Sequence, residues 1–249
     1  MTPDEYVALG DSVSIDLYPA LDLGETDVAV ALERDPHAGN VAPLGAAALL
    51  YRNADDRWPE FVGDDLATRH PAMRFTSLAE DGATIGDVFG AQLPEVVPSD
   101  AETLVTLTIG GNDLLSAVGN QPKEALLARI VRDIGDAYHQ LVRSILEARP
   151  RATILLATIY DPSDRSGRIP GVLDFAGPLP LRYLDALNER IREVAGGAPR
   201  ARRADVYAHF LGHGVSAPPE DCWYWRRSLI EPSAVGASEV RRVWLEALA

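Results

Sequence analysis

The chain predicts a single α/β domain, a mostly parallel sheet covered by helices on both faces. Three observations carry this. Short runs of strand composition alternate with longer amphipathic runs, which implies parallel strands joined by crossover helices. The strand-like runs are apolar throughout rather than at every second residue, as strands buried on both faces require. The 249 residues are 47% hydrophobic, enough for one sizeable core.

The predicted strands cover 6–9, 73–78, 103–109, 152–159 and 204–207, and the predicted helices cover 58–69, 123–148, 181–195 and 233–248. The helix over 123–148 has the clearest pattern. Leu126, Leu127, Ile130, Val131, Ile134, Tyr138, Leu141, Val142, Ile145 and Leu146 recur at three- and four-residue steps and form one apolar stripe. Pro122 precedes it and Pro150 follows it, both consistent with helix boundaries. Two stretches show no regular pattern. Residues 15–53 are rich in Asp, Pro and Gly with an alanine-rich piece at 45–50, and they follow the first candidate residue closely enough to cap a site. Residues 161–180 form a second Pro- and Gly-rich loop. Long loops in compact domains are often functional. No repeat or linker divides 1–249.

The net charge of −14 argues against nucleic acid and anionic membranes, which attract basic patches. One cysteine, Cys222, excludes an internal disulfide. Residues 1–5 lack the basic and apolar regions of a signal peptide, and no apolar run approaches the roughly 20 residues that span a bilayer. These features lead to the expectation of a cytoplasmic protein. Asp16, Asp22 and Asp27 read as a solvated acidic loop, since no ligand spacing supports a metal. Nothing implies a cofactor.

The chemistry-bearing residues sit at strand exits, where open α/β sheets form their sites. The first strand runs into Gly10-Asp11-Ser12, and the third into Gly110-Gly111-Asn112-Asp113. A serine can attack a carbonyl and an asparagine amide can donate to an oxyanion. A helix starting just after Ser12 would add a positive dipole end. Between them, Leu78-Ala79-Glu80-Asp81-Gly82 ends a strand and places a glycine N–H before another helix. Taken alone, Ser12 reads equally as a helix N-cap, Asn112 as a turn and Gly82 as a βα loop.

Together, in this order, the segments resemble those of the SGNH hydrolases, also called the GDSL esterase/lipase family. Tyr6-Val7-Ala8-Leu9-Gly10-Asp11-Ser12 looks like the first family block, Gly82 matches the glycine of the second, and Gly110-Gly111-Asn112-Asp113 matches the third. The resemblance implies a three-layer α/β/α, flavodoxin-like domain that hydrolyses a small ester. It implies Ser12 as nucleophile and the Ser12 N–H, Gly82 N–H and Asn112 side chain as oxyanion hole. The fourth block departs from the family's Asp-x-x-His-Pro. Pro232, Gly236 and a final helix hold the register, so Glu231 stands at the histidine position and Ser228 at the aspartate position. Histidine carries protons near neutrality with a pKa of about 6.5, whereas glutamate sits near 4.3.

Three readings follow. A histidine from elsewhere serves as base, with Glu231 supporting it; Glu231 itself is the base; or catalysis is lost and ligand binding remains. Of the five histidines, His213 and His209 lie just beyond the fifth strand, at the correct edge, and His213 is flanked by Gly212 and Gly214. His37 is weaker, and His70 and His139 read as inert. Transfer of the acyl group to an alcohol would use the same residues. Trp223, Tyr224 and Trp225 either wall a pocket or pack under the last helix.

Overall fold

The computed structural model describes residues 3–32, 41–121, 123–172 and 177–249. Five strands form one all-parallel sheet: β1 (Glu5–Gly10), β2 (Arg74–Ser77), β3 (Thr103–Thr108), β4 (Ala152–Ala157) and β5 (Ala201–Ala204), in the order β2-β1-β3-β4-β5. β1 and β3 pair in register from Glu5 opposite Thr103 to Gly10 opposite Thr108, so their carboxyl ends finish side by side. β3 and β4 are buried along their whole length. Burial on both faces explains their largely apolar composition, interrupted only by Thr103, Thr106, Thr108 and Thr153.

Alternate residues of these strands feed two cores. Val7, Leu9, Val105, Leu107, Ile154 and Leu156 pack with residues of α8 (Glu124–Ala148) and α9 (Leu181–Gly197). Tyr6, Ala8, Leu104 and Leu155 face the other layer, with Leu50 of α3 (Ala46–Tyr51), Phe210 of α10 (Val206–Phe210) and Trp244 of α11 (Ala234–Leu248). The result is the three-layer, flavodoxin-like arrangement expected. Most of the apolar stripe read over 123–148 is the buried face of α8, from Leu127 to Ile145, whereas Leu126 is exposed and Ile130 and Leu146 are half-buried at its margin. Pro122 lies outside the described residues.

Local structure differs from the reading in four places. The fifth strand ends at Ala204, because the Asp205 side chain accepts from the Ala208 N–H and starts α10 there. His209 is therefore helical. The single helix expected over 58–69 is a 3₁₀ turn at Pro59–Phe61 followed by α4 (Leu66–Arg69), separated at Gly63, whose φ is +83°, and restarted by an Asp65 N-cap. The irregular stretch after Ser12 contains three short helices: α1 (Leu17–Asp22), α2 (Val28–Leu32) and α3. Their acidic residues accept backbone hydrogen bonds: Asp16, which is buried, from Gly45 N–H at 2.5 Å, and Asp22 and Asp27, which are solvent-exposed as read, from Ala234 N–H and Ala29 N–H. Finally, Ser12 lies in a turn at residues 12–14, with α1 beginning only at Leu17. Any donor at Ser12 is thus a turn N–H, not a helix terminus.

Candidate active site

The site is built where β1 and β3 end. Gly10 has a φ of +129°, and a Cβ there would stand 2.0 Å from the Thr108 carbonyl oxygen. Only glycine allows the two strands to approach so closely at their exits. Gln92, buried in the π-turn Val88–Gln92 that extends α5 (Ile85–Asp87), clamps both backbone groups of Gly10. Its amide donates to the Gly10 carbonyl and its oxygen accepts from the Gly10 N–H, each at 2.8 Å. Asp11 N–H donates to the Thr108 carbonyl at 2.9 Å, and the Asp11 carboxylate accepts from Val13 N–H. Ser12 is fixed from both sides and is buried.

Asn112 opens α7 (Gly111–Gly119) after Gly110, whose φ is +107°. One hydrogen of its amide is committed to the Ala83 carbonyl at 2.9 Å, which holds the side chain across to the loop after β2. Asp113 accepts from Ile85 N–H at 3.1 Å and ties the same two segments together. In that loop Gly82 has a φ of +70°, and Asp81 accepts from the Tyr18 hydroxyl at 2.9 Å. Among the described residues, the Ser12 and Gly82 N–H groups have no hydrogen-bond partner.

Glu231 reaches the site from the segment before α11. Tyr160 hydroxyl donates to the Ile230 carbonyl at 2.6 Å, Glu231 N–H to the Ser228 carbonyl at 2.9 Å, and Trp225 N–H to the Glu231 carbonyl at 2.8 Å. Pro232 bridges to Tyr224, and Ser233 caps α11 through Gly236 N–H. A Cβ on Gly236 would meet the Trp223 carbonyl at 2.1 Å, which explains glycine at that position. The Glu231 side chain is buried, and its Oε2 has no partner among the described residues. Burial pushes its pKa up to about 7; the Ser12 hydroxyl beside it pulls the value down and the Asp81 charge adds to the rise. Asp11 is also pushed up to about 7, mainly by burial, with the Glu231 charge contributing.

Ser12, Asn112 and Glu231 line one cavity of about 120 Å³, together with Asp11 and a wall of aliphatic side chains. No histidine lines it among the described residues. His213 is held elsewhere. Its ring stacks on Trp223 with centroids 3.5 Å apart and planes 4° from parallel, and its Nδ1 lies 2.9 Å from the Asp221 carbonyl. His209 Nε2 pairs with Glu239 at 2.7 Å. His37 falls outside the described residues. The structure brings together Ser12, Asn112 and Glu231, with Gly82 on the adjoining loop, and leaves out His213. Trp223 and Tyr224 pack under α11, as the more conservative alternative held; Trp225 instead meets Tyr18 at 5.7 Å. Sequence reading missed Gln92 and Tyr160. Both act on backbone groups far away in sequence, and no local motif marks such contacts. No helix among the described residues is long and apolar enough to cross a membrane.

The family model of the GDSL-like lipase/acylhydrolase family matches residues 8–236. The fold is similar to a phospholipase A1 from Streptomyces albidoflavus, at 21% identity and a TM-score of 0.58, with 98% of this chain and 99% of that one covered. It is similar to an extracellular lipase from Streptomyces rimosus, at 23% identity and a TM-score of 0.53 over 98% and 99%. It is also similar to an acetyl xylan esterase from Geobacillus stearothermophilus, at 17% identity and a TM-score of 0.61 over 99% and 94%. No curated protein matches the chain. The match over residues 8–236 covers nearly the whole sequence, and on that ground the chain belongs to the GDSL-like lipase/acylhydrolase family.

Proposed function

We propose that the protein hydrolyses a small ester through a serine nucleophile, Ser12, with Glu231 as its base. The observation that carries this reading is the shared cavity: Ser12, Asn112 and Glu231 line it, and no described histidine does. Glu231 takes the Ser12 proton as the oxygen attacks the ester carbonyl. The tetrahedral oxyanion accepts from Ser12 N–H, Gly82 N–H and the second hydrogen of the Asn112 amide. The protonated Glu231 then returns the proton to the leaving alcohol, and a water repeats the sequence to release the acid and regenerate Ser12.

Energetics support a carboxylate here. A glutamate near its ordinary pKa is a weak base for an alcohol, but burial raises Glu231 to about 7. Against the reference value of 4.5 this makes proton transfer less uphill by about 3 kcal/mol. The base is then poised near neutrality, as general-base catalysis favours.

A second reading, a ligand-binding protein that has lost turnover, is favoured by the lack of an imidazole in the described cavity wall. Transfer to an alcohol instead of water would use the same groups. Hydrolysis of p-nitrophenyl acetate by the wild type and by Ser12→Ala separates the first two. Turnover abolished by Ser12→Ala is the expected result; no Ser12-dependent turnover across an acyl panel would sink the hydrolase reading.

A further inference from the structure

We propose that the cavity beside Ser12 is an acyl-chain site for a linear aliphatic chain of medium length, about six to ten carbons, so that medium-chain esters and not acetates are the preferred substrates. The proposal rests on the hydrolase reading above and names its substrate class.

The chemistry and the volume of the cavity carry it. The polar groups of the wall that can act on an ester are those of Asp11, Ser12, Asn112 and Glu231. Most of the remaining lining is apolar: Leu115 and Val118 from α7, Leu181 and Leu184 from α9, and Ile159 and Ile169 from the loop after β4. The other polar residues of the lining are already engaged. Thr158 hydroxyl donates to Asp205 at 3.0 Å, and the Asp161 carboxylate accepts from the Ser163 N–H and hydroxyl and from Arg165 N–H. A sugar or other polar group entering here would lose its water and find these groups already taken. An alkyl chain gains at every methylene.

Volume sets the length. A water-sized group needs roughly 10–15 Å³ of such space, so a cavity of about 120 Å³ holds on the order of ten of them. An acetyl methyl would fill only about a tenth of it and leave the remainder empty. A chain of about eight carbons would fill it, and longer chains would have to leave it.

The test is the series of p-nitrophenyl esters from acetate to palmitate with wild-type protein, read as kcat/KM. Each methylene buried should raise kcat/KM by about fourfold until the cavity is full, since one buried methylene is worth about 0.8 kcal/mol. The expected result is a maximum at hexanoate to decanoate, at least tenfold above acetate, and a fall beyond. Leu184→Trp on α9, or Val118→Phe on α7 should the first fail to fold, should lower the octanoate-to-acetate ratio at least tenfold. A maximum at acetate, or preference for an aromatic ester such as benzoate, overturns the proposal while leaving the hydrolase reading intact. If no ester is turned over, the hydrolase reading has failed, and calorimetric titration of Ser12→Ala with sodium octanoate still decides the cavity. Octanoate binding at least tenfold tighter than butyrate upholds the aliphatic site, and equal or absent binding overturns it.

Discussion

Raising the pH from about 6 to about 8 should increase kcat/KM for a p-nitrophenyl ester about tenfold. As the proposed base, Glu231 would act only as the free carboxylate, and burial places its pKa at about 7. About a tenth of the protein then carries the base at pH 6 and about nine-tenths at pH 8. The profile should climb tenfold per pH unit on its acid limb and level off above pH 8. A histidine base would titrate in the same range, so the profile is measured at two temperatures. Carboxyl ionisation is nearly independent of temperature, whereas imidazole ionisation shifts markedly. An acid limb that stays near pH 7 on warming supports Glu231, and one that moves down by several tenths of a unit indicates an imidazole. A rate flat from pH 5.5 to 8 would exclude a buried Glu231 as the base, because it would mean an unburied carboxylate near pH 4.5 or no titrating base. Asp81→Asn removes a charge that opposes ionisation of Glu231 and should move the limb to lower pH.

Three other outcomes follow from the same geometry. Glu231→Gln should stabilise the fold at pH 8: a carboxyl whose pKa is raised on folding lends stability that is complete below about pH 4.5 and lost as pH rises through about 7, a loss of up to about 3 kcal/mol, so Tm should rise by several degrees at pH 8 and hardly change at pH 4. Asn112→Ala should lower kcat by about 10²–10³ with little change in KM, since the amide acts on charge that develops only in the transition state; a loss confined to KM would argue against an oxyanion role. Gln92→Leu orphans the buried Gly10 N–H, and denaturant titration should find a loss of about 1–3 kcal/mol together with reduced turnover.

Legibility in the sequence followed the range of the interaction. The parallel sheet, the α8 stripe and the last helix over 233–248 depend on local pattern and were readable. Ser12, Gly82 and Asn112 were readable as candidates because each lies within two to five residues of a strand end, which the sheet brings to one edge. The end of β5 was misread because Asp205 caps α10 with its own side chain, and an apolar Val206 beyond it continues the strand pattern. His213 looked favourable from its flanking glycines and its sheet edge, but its ring direction is set by Trp223, ten residues away, which pattern does not reveal. The elevated pKa of Glu231 comes from the burial of a segment held by Tyr160, seventy residues distant.

In the mechanism proposed above, Glu231, and no histidine, takes the Ser12 proton. The most direct test compares kcat for Glu231→Gln and His213→Gln with wild type on a p-nitrophenyl ester at pH 8. Glu231→Gln keeps the shape of the side chain and removes the base, so kcat should fall by about 10²–10⁴. His213→Gln should stay within a few-fold of wild type. A Glu231→Gln variant near wild-type activity, with His213→Gln inactive but folded, would contradict the claim.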